Sequence, residues 1–256
     1  MSVTTEPHAE VPAPAPEPPP LSPFQRAMAV YARPADAWQG LRSRSAWWVP
    51  VLVSVAVGIA GYLATYQRSQ VPDIRDRLER QVESGELPAE RLPRIEQQIT
   101  SPIAESFGIV AIPIVTLIIL SVIALLPWLA AGFMLGRPFT WRDGFHIAAW
   151  AQLVQVPGQI LFYALCFINR TYKGQHIGFG VLLPQTDAPT RLGTGLGVFL
   201  DYGIGPFYLW WLAVLVLGTA ALSGAPRKSV AWTLGGLYLA VMLVVSALAA
   251  MFTPAA

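Results

Sequence analysis

Residues 107–135 read FGIVAIPIVTLIILSVIALLPWLAAGFML, twenty-nine positions without an aspartate, glutamate, lysine or arginine. About 20 mostly apolar residues in a helix cross the roughly 30 Å of a bilayer's hydrocarbon, so this stretch is long enough to span it. It is too long for one straight crossing and too short for two. Pro113 and Pro127 each remove a backbone donor within it, so the stretch reads as one long, tilted or bent helix. Four more stretches pass the same test: 47–66, 147–168, 203–222 and 230–252. Every charged residue of the chain falls outside the five. Soluble helices carry charges on their outer faces, so this partition predicts an all-α integral membrane protein built on a five-helix transmembrane bundle.

Composition agrees. Of 256 residues, 54% are hydrophobic and 12% charged, where soluble proteins have roughly a quarter charged. That argues against a soluble enzyme, a nucleic-acid-binding domain and a disordered regulator. The net charge of +2 is too small to suggest nucleic acid as a partner, and fifteen of the 17 basic residues are arginine. Cys166 is the one cysteine, so the chain cannot form an internal disulfide or a cysteine-based metal site.

Aromatic residues mark the membrane boundaries. Trp47 and Trp48 open the first stretch, and Tyr62 and Tyr66 close it; Phe207, Tyr208, Trp210 and Trp211 open the fourth, and Trp232 begins the fifth. Basic residues in short loops stay on the cytoplasmic side. The short turn 223–229 has Arg227 and Lys228 and no acid, whereas loop 67–105 mixes six basic with eight acidic residues. The expected topology therefore has a cytoplasmic N-terminus and an extracytoplasmic C-terminus. Neither the basic start nor the continuous apolar core of a cleavable signal peptide is present at the N-terminus. With the arginine-rich composition, this fits a bacterial inner (cytoplasmic) membrane.

Residues 1–21 contain seven prolines and read as a disordered tail, with 22–256 as the membrane domain. Ser22-Pro23 then offers an N-cap followed by proline at the first helical position. Phe24, Met28 and Tyr31 recur at helical spacing, with Arg26 and Arg33 beside them, and Trp38 and Leu41 mark a second short turn. The expectation is an interfacial anchor made of Phe24, Arg26, Arg33, Trp38, Trp47 and Trp48, apolar face inward and arginines toward lipid phosphates; docking to a partner is the alternative. Loop 67–105 holds two stripes, Ile74/Leu78/Val82 and Leu92/Ile95/Ile99, separated by Gly85 and Pro88. They predict two short amphipathic helices folded against the extracytoplasmic end. Their carboxylates lack a histidine or cysteine partner and read as a solvated face rather than a metal site.

The stretch from Tyr31 through Pro34, Trp38 and Leu41 into Trp47, Trp48 and Pro50 resembles the start of bacterial Yip-one domain proteins, the Ypt-interacting-protein family. So does the turn from Gly136 to Gly144 and His146, leading to a span that contains Pro157. The end is similar as well, from Phe207, Trp210 and Trp211 to Gly218, then Gly224 to Lys228 and Trp232. The resemblance covers about residue 21 to the C-terminus. It implies a five-helix membrane domain with a cytoplasmic N-terminus and no established catalytic activity. Eukaryotic relatives are linked to Rab-type GTPases and vesicle traffic. Their Asp-Leu-Tyr-Gly-Pro signature is absent here, and Pro206 stands where bacterial members often have an acidic residue. Both departures argue against carrying over GTPase binding.

Within the spans, Gln152, Gln155, Gln159, Tyr163 and Cys166 recur at three, four, four and three, which places them on one helical face. Such a face either lines a polar cavity or bonds neighbouring helices together. Proton relays and ion coupling need ionisable groups, and the spans have none. His146, at the mouth of the third span, reads as interfacial, and Ser54, Thr116, Ser121 and Ser246 lie in no motif that activates a nucleophile. The small pairs Ser54/Gly58 and Gly132/Gly136 suit close helix packing. Gly193, Gly195 and Gly197 lack the strand and lysine of a phosphate loop. The expectation is a non-enzymatic membrane protein without cofactor or metal that acts by protein or lipid interaction. Its partners would be the lipid bilayer and a membrane protein or a second copy, with no nucleic acid. The alternative is a small permease or accessory transport subunit that uses the third-span face.

Overall fold

A helix satisfies its own backbone donors and acceptors, which an apolar segment in lipid must do. The computed structural model describes residues 19–43, 45–184 and 190–253. Most of the expected proline-rich tail, and Arg44, lie outside them. Five helices among the described residues are long and apolar enough to cross a membrane: Trp48–Glu83, Pro102–Met134, Trp141–Asn169, Pro206–Ser223 and Arg227–Met251. The chain is a multi-pass membrane protein, and the described residues form helices and no strand.

The amphipathic helix α1 (Pro23–Ala32) begins at Ser22, whose hydroxyl accepts from the Gln25 amide while the Gln25 side chain accepts from the Ser22 amide. The first span, α2 (Trp48–Thr65), does not end at the membrane boundary. It continues through a π-turn (Tyr66–Gln70) into α3 (Val71–Glu83), so the first expected loop helix is an extension of the span. After a turn at Gly85, α4 (Leu92–Ile99) folds back toward α3 and leads into the second span. Arg75 pairs with Glu96 at 2.8 Å between the two loop helices.

The second span is α5 (Pro102–Ile123), a short turn α6 (Leu125–Pro127) and a π-turn (Trp128–Met134). Pro113 is held within α5, and the break comes beside Pro127, whose missing N–H leaves the preceding turn a bond short. Only 11% of this span's most apolar stretch is buried, against 39% in the first, so most of it faces outward.

The third span starts earlier than its apolar run. Helix α7 (Trp141–Ala151) is capped by Thr140 and Asp143, and every residue from Asp143 to Ala151 is buried. It forms the axis of the bundle's N-terminal half, packed by α1, α2, α5 and α10. Small residues permit that closeness: a Cβ on Gly144 would lie 2.5 Å from the Ala124 carbonyl oxygen. A tight 3₁₀ turn (Gln152–Gln155) then separates α7 from α8 (Val156–Asn169). Pro157 cannot donate to the Leu153 carbonyl, which is taken instead by the Val156 amide.

At the opposite end, α9 (Arg191–Val198) and a π-turn (Phe199–Gly203) lead to the fourth span, α10 (Pro206–Ser223). Three residues join it to the fifth, α11 (Arg227–Met251). Five crossings place the two described ends of the chain at opposite poles. The N-terminal pole gathers α1, the 135–140 turn and the 224–226 turn; the far pole gathers α3, α4, the 170–183 loop and α9.

Candidate functional site

The N-terminal segment is built around a buried guanidinium. Arg26 is 1% exposed. Its Nη1 donates to the Ala37 carbonyl at 2.8 Å and its Nη2 to the Gln39 carbonyl at 3.0 Å. The guanidinium lies 5.5 Å from the centre of the Trp150 ring, within cation–π range. Burial lowers the Arg26 pKa to about 10, which leaves it charged at neutral pH. This corrects the expected placement of Arg26, whose guanidinium is held by the protein rather than by lipid phosphates. Arg26 and Val30 form the buried face of α1, while Phe24 and Met28 face outward, 76% and 55% exposed, and Tyr31, partly exposed, turns its hydroxyl onto the bundle. The reason is tertiary: Trp150 and the carbonyls of the following turn supply partners that lipid phosphates would otherwise provide. Trp38 is likewise corrected; it is buried beside Ile147, with Gly218 leaving room for its ring. Arg33 is exposed, Trp47 packs edge-on against Phe145, and Trp48 is exposed. The Tyr31 hydroxyl donates to the Leu153 carbonyl at the third-span break.

Below that segment lies a cleft of about 690 Å³, lined by Arg42, Arg137, Thr140, Arg142, Asp143 and His146 among others. Asp143 is fully engaged. Its Oδ1 accepts from Arg42 Nε at 3.1 Å, and its Oδ2 from Arg42 Nη2 at 3.2 Å, the Thr140 amide at 3.0 Å and the Thr140 hydroxyl at 2.9 Å. Arg42 therefore locks the segment before the first span to the start of the third. His146 is 5% exposed, with Nε2 3.4 Å from the Ser45 hydroxyl.

The third-span face is interrupted rather than one straight stripe. Gln155 is buried, and its side-chain amide donates to the Phe207 carbonyl at 3.4 Å, tying the break to the start of α10. Gln152 is half-buried at the start of the 3₁₀ turn. Gln159 is half-buried, and its Oε1 is enclosed with no hydrogen-bond partner among the described residues. Tyr163 packs on Gly61, where a Cβ would come 2.1 Å from its ring. Cys166 and Phe167 at the end of the span present carbonyls to Ser69 and Arg68 of the first-span π-turn, at 2.7 and 2.9 Å.

One site escapes sequence reading. Asp201, just ahead of the fourth span, is 7% exposed. Its Oδ1 accepts from the Gly178 amide at 3.1 Å and the Gly180 amide at 3.0 Å, and its Oδ2 lies 2.5 Å from His176 Nδ1. A Cβ on Gly180 would sit 2.5 Å from that Oδ2, so glycine is required for the approach. An acid at a span entry, preceded by a loop with paired glycines, was the available signal.

A profile of the Yip1 domain matches residues 28–249, all five spans with the segment that precedes them. The chain belongs to the Yip1 domain family. Comparison with curated proteins and with solved structures gives no match. The Yip1 family is a non-enzymatic membrane family. Around the Yip1 bundle, the charged clusters at both poles bind loops to helix ends: Arg42 to Asp143 at one, and Asp73 to Thr171 and the Tyr172 amide at the other.

Proposed function

We propose that this protein is a non-catalytic membrane organiser that acts by lateral contact with a neighbouring membrane protein. The observation that carries the reading is the outward crest of α1. Phe24 and Met28 are exposed, yet the helix beneath them is pinned by Arg26, so the crest is held rigid rather than free to fold inward. A pre-ordered apolar surface loses little freedom when a partner covers it. The reading includes a bacterial inner membrane and a cytoplasmic N-terminal pole, in line with Arg42, Arg137, Arg142, Arg227 and Lys228 all lying at that pole. Photo-crosslinking residues placed at positions 24 and 28 in living cells are expected to give discrete protein adducts. Recovery of the chain alone from both positions would overturn the reading.

A second reading, a small permease, is favoured by one observation: the enclosed Gln159 oxygen beside a helix break in mid-span. Replacing Gln155 and Gln159 together by leucine then abolishes a solute-dependent growth phenotype while the protein still accumulates in the membrane. Unchanged uptake in that variant eliminates transport by this face.

A further inference from the structure

We infer that the cleft at the N-terminal pole binds the phosphate of an anionic phospholipid. The inference is independent of the partner reading, because it concerns a ligand of the purified chain. Three guanidiniums, those of Arg42, Arg137 and Arg142, line the cleft against the single carboxylate of Asp143. That carboxylate is spent on Arg42 and Thr140. Arg137 and Arg142 make no side-chain hydrogen bond or ion pair among the described residues, so two cations line one cavity uncompensated. A planar guanidinium offers a fork of donors that matches phosphate oxygens, and a pair of them holds one phosphate from two sides. The cleft opens at the first turn of α7, whose dipole adds positive potential. Its volume of about 690 Å³ suits a headgroup with its glycerol unit rather than a bare ion.

The lipid source follows from what adjoins the cleft. Phe133 and Met134 end the second-span helix just before Arg137 and are 78% and 55% exposed. Trp141, beside Arg142, is 42% exposed, with its indole N–H donating to the Ser121 carbonyl at 3.2 Å. An exposed aromatic whose polar edge is held is typical of the membrane–water boundary. Acyl chains can therefore lie along the second span while the phosphate enters between the arginines.

The test uses the full-length protein in nanodiscs of phosphatidylcholine with a minor fraction of phosphatidylglycerol, transferred to detergent and analysed by native mass spectrometry for retained lipid. Wild type is expected to retain phosphatidylglycerol strongly over phosphatidylcholine. Arg137→Gln with Arg142→Gln is expected to lower that preference about 30-fold, and each single variant about fivefold. Arg137→Lys with Arg142→Lys should restore part of the preference, because charge survives while the forked geometry is lost. Both arginines are exposed and bond to nothing described, so these variants are expected to keep the wild-type melting temperature; the single variants repeat the test if the double one does not fold. Equal retention of the two lipids by wild type, or undiminished phosphatidylglycerol in the arginine-to-glutamine variants, overturns the inference. Competition by inorganic phosphate or glycerol phosphate at the concentration at which phosphatidylglycerol competes overturns its lipid source.

Discussion

Arg26→Ala is expected to release the N-terminal segment at a cost of about 3–5 kcal/mol, the loss of two hydrogen bonds from a charged donor. Hydrogen bonds that involve a charged group contribute about 1.5–3 kcal/mol each, and two are lost here. The carbonyls of Ala37 and Gln39 are left without their partner, and Trp150 loses the cation over its ring. The five spans keep their own backbone bonds, so the bundle remains while residues 33–43 become open to protease. Arg26→Lys is expected to recover little, because one ammonium cannot reproduce the forked bond to two carbonyls and the flat contact with an indole. Limited proteolysis in detergent distinguishes the outcomes. A protected N-terminal segment in Arg26→Ala would show that α1 is held by its apolar contacts alone.

Asp201→Ala is expected to destabilise the far pole by about 3 kcal/mol, since the amides of Gly178 and Gly180 are left unpaired and each such group costs about 1–3 kcal/mol when buried. Asp201→Asn keeps an oxygen for the two amides and loses only the charge facing His176, so it should cost roughly 1 kcal/mol. Hydrogen exchange over residues 176–183 measures the difference. Equal protection in wild type and Asp201→Ala would mean that the loop is held by other contacts.

The bundle itself was legible because the bilayer sorts residues without regard to tertiary detail: charges stay out, and a run of about 20 apolar residues suffices. Ser22-Pro23 marked the start of α1 for a similar local reason, since a cap and a proline act within one turn. The burial of Arg26 was not legible. It stands beside the apolar residues Phe24, Met28 and Tyr31 as an arginine suited to lipid phosphates, and only Trp150, far along the chain, shows that it turns into the protein. The glutamine spacing predicts one helical face, and Pro157, which removes the regular hydrogen bond at Leu153, was the one sign of the tighter turn found there. The Asp201 site joins a π-turn to residues of the preceding loop at irregular spacing, and no period on a single helix could have assembled it. Arg42 and Asp143 are 101 positions apart, so their pairing was equally out of reach.

The helical segment from Trp48 to Glu83 runs 36 residues, with one π-turn at Tyr66–Gln70. At 1.5 Å per residue that is about 54 Å, nearly twice the hydrocarbon thickness. Mechanically it is a lever whose fulcrum lies within the bilayer. When the membrane thins, a spanning helix leans over to keep its apolar length covered. A lean of about 10° then carries the outer tip sideways by about 3 Å over the protruding third. Arg75 on this protruding part pairs with Glu96 on α4, and α4 leads directly into the second span. The same helix thus joins the lipid-covered span to the charged surface of α3 and α4 outside it.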